Sequence, residues 1–414
     1  MSDAAAPRLL THTPFLLYFV GRGFSRFAAQ MATVALGWQV YAMTGSAFHL
    51  GLIGLAQFLP VLLLVFIAGH AADRYDRQRV VQACQIAQAL VAALLAWGSW
   101  QGWLTIPAIY AAVACLGVAT AFESPATAAL LTGVAPKGQF QRAAALNTGL
   151  FQVAVISGPA VGGFAYAAGP EVPYAIMTAF WLIGSVLNGA IRLEAPPGDR
   201  PQPRIGDHFA GIGFVRSDRA ILGTISLDMF AVLLGGATAL MPIYAADILH
   251  TGPWGLGILR AAPAVGALTM TAVLARRSIT RRVGMRMLQA VVVFGLGTLV
   301  FALSRNLALT LGALVVMGAA DTVSVVIRHS LVQLRTPDAM RGRVGAVNFL
   351  FINASNQLGE FESGIDRRPL RHRARGRPRR ARLDRRRAPL DAALSGAEER
   401  RTAGVIVCVP ARLS

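Results

Sequence analysis

Long apolar runs broken by short polar junctions fill the first 364 residues of the chain. A bilayer's hydrocarbon core takes about 20 apolar residues per helical crossing. Windows of that length predict spans over 15–41, 46–68, 80–100, 105–132, 143–168, 172–192, 220–246, 253–275, 284–303, 307–330 and 344–364. The segment from Gly69 to Arg79 separates the second and third of these runs, and its charges are expected to sit in a very short turn. The longest junction, 193–219, opens with Pro196, Pro197, Gly198, Asp199, Pro201 and Pro203, a composition that cannot be helical at its start. It divides six predicted spans from five. The expected organisation is a six-helix bundle over 1–192, a cytoplasmic linker over 193–219, a five-span bundle over 220–364 and a tail over 365–414. The fold class is an all-α polytopic membrane protein. The N-terminus is polar up to about Pro14, and the run that follows is too long for a cleavable signal peptide, so it is expected to be the first span.

Basic residues separate by side. The junctions at 42–45, 101–104, 169–171 and 247–252 contain no Arg or Lys, and 304–306 contains only Arg305. The alternate junctions carry Arg74, Arg77 and Arg79, then Lys137 and Arg142, then Arg200, Arg204, Arg216 and Arg219, then Arg276, Arg277, Arg281 and Arg282, then Arg335, Arg341 and Arg343. Cytoplasmic loops carry the excess of Lys and Arg, so the N-terminus and the basic junctions are expected in the cytoplasm.

A constant offset of 201 pairs residues of the two halves: His49 and Gly51 with His250 and Gly252, Gly54 and Leu55 with Gly255 and Leu256, and Pro136, Arg142, Ala145, Asn147 and Leu150 with Pro337, Arg343, Ala346, Asn348 and Phe351. Such an offset argues for duplication, and repeated membrane halves are the architecture of alternating-access carriers.

Composition sharpens the exclusions. With 55% hydrophobic and 14% charged residues and a mean hydropathy of +0.53, there is little material for a soluble domain. The net charge of +19 invites a nucleic-acid reading, but the arginines before Gly364 stand at span ends as topology signals rather than in a binding stripe, so no nucleic-acid partner is expected. Cys84, Cys115 and Cys408 have neither metal-ligand spacing nor a disulfide framework. No Walker-type loop, His/Cys cluster or nucleophile–base arrangement stands in the sequence, so neither an enzyme, a metal nor a cofactor is expected.

Two motifs carry a family resemblance. Gly69, Asp73, Arg74 and Arg77 stand in register with the loop motif Gly-x-x-x-Asp-Arg-x-Gly-Arg-Arg/Lys, while Asp76 replaces the second glycine and Gln78 the basic residue before Arg79. Asp is among the few residues that tolerate a left-handed turn. Gly158, Pro159, Gly162 and Gly163 match a Gly-Pro-x-x-Gly-Gly element of exporters. On these residues, over about 10–364, the chain resembles the major facilitator superfamily, and its phrases at Leu227–Phe230, Gly235–Tyr244 and Asn356–Gly364 resemble bacterial exporters akin to the enterobactin exporter. The resemblance implies two pseudo-symmetric six-helix bundles, here with the last helix missing or replaced. It implies a monomeric, secondary active carrier exchanging a small amphiphile, siderophore-like or drug-like, for protons. In it Asp73 caps a neighbouring helix end, the arginines make a gating latch, and the glycine–proline element bends and seals one face of the pore. The alternative is a transport-inactive sensor or partner protein on the same scaffold.

The arginine usual in the fourth span of such exporters is missing, since 105–122 holds no charge. Ionisable candidates for proton coupling or substrate contact are Arg26, Glu123, Asp228, Arg260, Asp321, Glu360 and Glu362. Each costs about 3 kcal/mol at a helix centre unless it faces water or a partner. Asp321 and Asp228 lead for proton coupling, with Asp228 at a depth that would let it pair with Arg26 or stay a static ion pair. Arg260 lies closer to the outer end, where it could meet an anionic substrate or only stabilise packing. Arg22, nearer the cytoplasmic end, is expected to snorkel.

After Gly364 the character changes: 365–414 holds fifteen arginines against five acids and no apolar stretch long enough to cross. Three readings stay open: a frameshift near codon 365, a basic cytoplasmic tail, or a segment that binds anionic lipid or nucleic acid.

Overall fold

The nine predicted spans that fall wholly on described residues each become one helix, with ends within about six residues of those expected. A computed structural model describes residues 9–136, 138–192, 240–276 and 283–336, with short pieces at 213–218, 221–223, 226 and 344. Within these residues stand α1 (Thr13–Thr44), α2 (Ala47–Arg74), α3 (Arg77–Gln101), α4 (Ile106–Val134), α5 (Phe140–Ala168) and α6 (Val172–Gly189), then α7 (Gly252–Arg276), α8 (Val283–Leu303) and α9 (Leu307–Arg335). A helical turn at Met241–Ile243 runs into a π-helical turn at Tyr244–Ile248, just ahead of α7. Among the described residues, α2 to α9 are the eight helices long and apolar enough to cross a bilayer. Residues 345–364 of the last expected span, residues 220, 224–225 and 227–239 of the span 220–246, the start of the linker, Lys137, Asp228, Glu360, Glu362 and the tail 365–414 lie outside the described residues.

Local chemistry explains the helix ends. Pro14, Pro107 and Pro173 sit in first turns, where a missing N–H costs nothing. α1 stops at Gly45, whose positive φ of 59° lets its N–H reach the Tyr41 carbonyl at 2.7 Å. Asn306 caps α9, its side-chain oxygen accepting from the amides of Ala308 and Leu309 at 2.9 and 3.2 Å.

The junction at 69–79 differs from expectation. α2 continues through Arg74, so Gly69 and Arg74 are helical and the turn shrinks to Tyr75 and Asp76. Asp76 does not adopt a left-handed conformation; its φ is −59°, and its side chain caps α3 by accepting from the Gln78 amide at 2.9 Å. An acceptor at the N-cap satisfies a backbone donor that glycine would leave open. Gln78 in turn donates to the Gly189 carbonyl at 3.0 Å, tying this turn to the end of α6.

Outside, the protein is apolar: Leu63, Leu90, Val186 and Leu303 are all exposed. A continuous surface of this kind suits lipid tails rather than water. Trp97, Trp100 and Trp103 lie exposed around the end of α3, where amphipathic rings favour the membrane–water boundary.

Inside, small residues let backbones meet. A Cβ built on Gly117 of α4 would stand 2.4 Å from the Gln57 carbonyl oxygen of α2, and one on Gly318 of α9 would stand 1.9 Å from the Pro263 carbonyl oxygen of α7. Gly117 and Gly318 are themselves separated by the 201-residue offset of the sequence repeat. The two halves thus use the same helix pairing, α2 with α4 and α7 with α9, closed by a glycine at the matching position.

Candidate functional site: a buried polar knot and the seam between the halves

α1, α3 and α5 begin at the end of the bundle that carries Arg77, Arg79 and Arg142, called here the basic end; the junctions after α1, α3 and α5 define the charge-poor end. In the first half, α1 and α3 converge on Glu123 of α4. Its Oε1 accepts from Arg22 Nη1 at 3.2 Å, Ser25 Oγ at 2.8 Å and Gln85 Nε2 at 3.2 Å, and its Oε2 accepts from Gln88 Nε2 at 3.1 Å. Asn188 of α6 extends the network by donating to Gln85 Oε1 at 3.0 Å. Arg22 is 6% exposed and Glu123 5%, so this is a true interior ion pair. Arg22 therefore does not snorkel to the membrane surface: a carboxylate one helix away satisfies its charge where it stands. Asn188 makes an interhelical hydrogen bond, as its place within a span suggests.

Arg26, one turn further along α1, has a different setting. Its guanidinium carbon lies 5.1 Å from the centroid of the Phe151 ring of α5. Among the described residues it makes no hydrogen bond or ion pair. The pairing with Asp228 that its depth suggests involves a residue outside the described set.

The stripe Gly23, Arg26, Gln30, Val34, Gly37 and Tyr41 recurs every three or four residues along one face of α1. Higher on that stripe the partners belong to the second half. Val34 packs in a cluster with Met241, Tyr244 and Leu256. A Cβ built on Gly37 would meet Pro242 at 3.8 Å and Arg260 Nη2 at 3.9 Å. The Tyr41 hydroxyl donates to the Asp247 carboxylate. Arg260 of α7 thus sits against α1 near the charge-poor end.

The Gly158–Gly163 element forms the second seam. A Cβ on Gly158 would stand 2.6 Å from Gln30 Cβ, and one on Gly162 would stand 3.0 Å from Met31 Cα, so these two glycines seat α5 on α1. Gly163 faces the other way: its Cβ would stand 2.5 Å from the Pro253 carbonyl oxygen, while a Cβ on Gly257 would stand 2.7 Å from that of Pro159. α5 and α7 therefore touch backbone to backbone across the two halves, at the charge-poor end. Two of the apolar clusters there mix residues of both halves, with Ile243 joining first-half residues and Val34 joining second-half residues. At the basic end the described clusters stay within one half: Leu9, Tyr18, Val81, Leu130 and Ala143 in the first, and Val215, Ile221, Val332 and Val344 in the second.

Of the remaining sequence candidates, Asp321 is half-buried midway along α9. Arg328, two turns below it on the same helix and 2% exposed, is an interior cation that hydropathy does not single out. Gly69, Arg74, Arg77 and Arg79 lie around the α2–α3 turn; Arg79 Nε stands 3.7 Å from Asp76 Oδ2 in an exposed pair, and the side chain of Asp73 lies outside the described residues. Among the described residues no cluster of His, Cys, Asp and Glu could hold a metal ion.

A two-half helical membrane bundle with a glycine seam and charged groups at mid-depth has the architecture of a carrier. Residues 18–359 match the family profile of the Major Facilitator Superfamily, and the chain belongs to that superfamily. It is 31% identical over 356 residues to the multidrug efflux pump Tap of Mycobacterium tuberculosis (strain ATCC 25618 / H37Rv), covering 81% of this chain and 82% of the relative. It is 25% identical over 360 residues to the enterobactin exporter EntS of Citrobacter koseri, covering 82% of each. Among solved structures, a bacterial homologue of the human lysosomal transporter Spinster, inward-facing and unoccupied, has the same fold with a TM-score of 0.69 at 13% identity, covering 86% of this chain and 82% of that one. The chain is a multi-pass bacterial membrane transporter related to efflux pumps, and the resemblance to the enterobactin exporter is upheld.

Proposed function

We propose that the protein is a proton-coupled exporter of small amphiphilic molecules that works by alternating access, as a monomer in the inner membrane. The observation that carries this reading is the asymmetry between the two ends. The charge-poor end is closed across the halves by the α5–α7 seam and the Tyr41–Asp247 hydrogen bond, whereas the described clusters at the basic end stay within single halves. By the positive-inside rule the basic end and the N-terminus are cytoplasmic, so the closed end is the outer one and cargo enters from the cytoplasm. Residues 1–192 and 220–364 are the two rocking bodies, joined by 193–219, and rocking would break one seal as the other forms. The efflux relatives support the outward direction.

Within this scheme Glu123 anchors the first body rather than carrying a proton, because four donors already hold its carboxylate. Asp321 is the proton carrier: it is half-buried at mid-depth on α9, where a carboxylic acid can be neutral when enclosed and ionised when the space between the bodies opens to water. Gly69, Asp73, Arg74, Arg77 and Arg79 form a latch at the cytoplasmic end.

Purified protein in vesicles, offered a panel of cationic, neutral and anionic fluorescent amphiphiles under an imposed pH gradient, tests the reading. Gradient-dependent accumulation lost in Asp321→Asn is the expected result. Accumulation that ignores the gradient, or that Asp321→Asn leaves equally gradient-dependent, removes proton coupling through this residue.

A further inference from the structure

We infer that Arg26 and Phe151 form a binding subsite for an anionic group on the cargo, with an aromatic carboxylate as the matching chemistry. The inference rests on the exporter reading and narrows its substrate class.

The argument begins with charge. Arg22 and Arg26 are successive-turn cations on α1, and the nearby carboxylate, Glu123, is taken up by Arg22, Ser25, Gln85 and Gln88. Arg26 is left without hydrogen bond or ion pair among the described residues, half-buried, its guanidinium against the Phe151 ring. A cation at mid-membrane depth that holds no acid by hydrogen bond or ion pair among the described residues is costly, and it is retained where it faces a water-filled space or meets a partner.

Position gives the second step. Arg26 stands on the α1 stripe that, about two to four turns higher, meets the second half through Val34, Gly37 and Tyr41. It therefore looks into the region between the halves, below their closure and on the side where the described clusters do not bridge them. Thirteen residues into α1, it lies about 20 Å from the start of that helix, at the depth where a carrier holds its cargo.

Chemistry gives the third. A guanidinium presents a planar fork of donors that matches a carboxylate in bidentate fashion. The Phe151 ring holds that fork and offers an apolar face to a ring borne by the same ligand. An aromatic acid satisfies both features at once, while a cationic amphiphile would meet repulsion from Arg26.

The test uses the full chain in detergent micelles and isothermal titration with salicylate and with salicylamide, its neutral analogue. Salicylate is expected to bind, and Arg26→Gln to weaken it by at least about tenfold, the scale of a hydrogen bond to a charged group. Arg26→Lys should fall between the two, because it keeps the charge and loses the fork. Phe151→Leu should weaken both ligands, and salicylamide should bind more weakly than salicylate and ignore Arg26→Gln. Thermal melting of each variant verifies that it is folded. The proposal is overturned if folded Arg26→Gln binds salicylate as the parent does, if salicylamide matches salicylate, or if salicylate gives no binding to the parent. Binding in micelles needs no gradient, so the two readings fail separately. Salicylate bound at Arg26 with no amphiphile crossing vesicles leaves the subsite and removes the exporter; anionic amphiphiles crossing equally well in Arg26→Gln does the reverse.

Discussion

Arg22 and Arg26 carry the same group one turn apart on the same helix, yet they live in different proteins as far as physics is concerned. Arg22 turns into the first half and is fixed by a carboxylate and a shell of amides from α3, α4 and α6. Arg26 turns by about 40° from it, toward the face of α1 that meets the second half, and among the described residues it meets an aromatic ring in place of an ion pair. The lesson is that an interior charge in a membrane bundle has no meaning of its own. A charge saturated by its own half is architecture, and one left facing the seam between the halves is available for work.

Removing the partner of the saturated charge should break this contrast most severely. Glu123→Ala strands Arg22 in an apolar interior and is expected to cost about 3–5 kcal/mol in thermal or denaturant unfolding in micelles. The Arg22→Met, Glu123→Met pair should recover much of that loss, since removing both charges leaves none uncompensated. If the single change melted no lower than the parent, the knot would not be the anchor described here. At the seam between the halves, Gly163→Val builds a β-carbon only 2.5 Å from the Pro253 carbonyl oxygen, closer than packed atoms stand. Overpacking of this kind costs about 1–3 kcal/mol, all of it charged to the closed state. Spin labels at Met43 and Thr251 should report a longer separation in this variant. An unchanged distance distribution would show that the seam does not set closure. Tyr41→Phe removes one hydrogen bond to a carboxylate from the same seal, worth about 1.5 kcal/mol or roughly a tenfold shift in the closed-to-open ratio, and the same labels should show a smaller change. The smallest effect on stability belongs to Arg26→Gln, which gives up only a cation–π contact of about 0.5–1 kcal/mol. A melting loss as large as that of Glu123→Ala would erase the distinction between the two arginines.

Much of the architecture is legible in the chain because the bilayer imposes it. A helix must be apolar for the whole thickness of the hydrocarbon core, so the ends of α1 to α9 follow from hydropathy, and Pro14, Gly45 and Asn306 mark several of them by their backbone chemistry. The Gly158–Gly163 element is legible as a close-packing signal, but not its division of labour, with Gly158 and Gly162 against α1 and Gly163 against α7. The turn at Asp76 is misread from the motif alone, because a helix-capping side chain and a left-handed turn both favour Asp. Gln85 and Gln88, three residues apart on α3, could have been matched to Glu123 by their shared face. Nothing local links Tyr41 to Asp247, which stand 206 residues apart.

The sequence by itself determined which segments cross the membrane, which junctions are basic, the repeat that relates the halves and the superfamily, since each depends on composition or on spacing along one helix. Tertiary structure alone decided which charges are spent inside one half and which remain at the seam, and which end of the bundle is sealed. Those outcomes depend on the rotation and approach of helices distant in the chain, and a rotation of one helix by less than half a turn exchanges a partner for an opening.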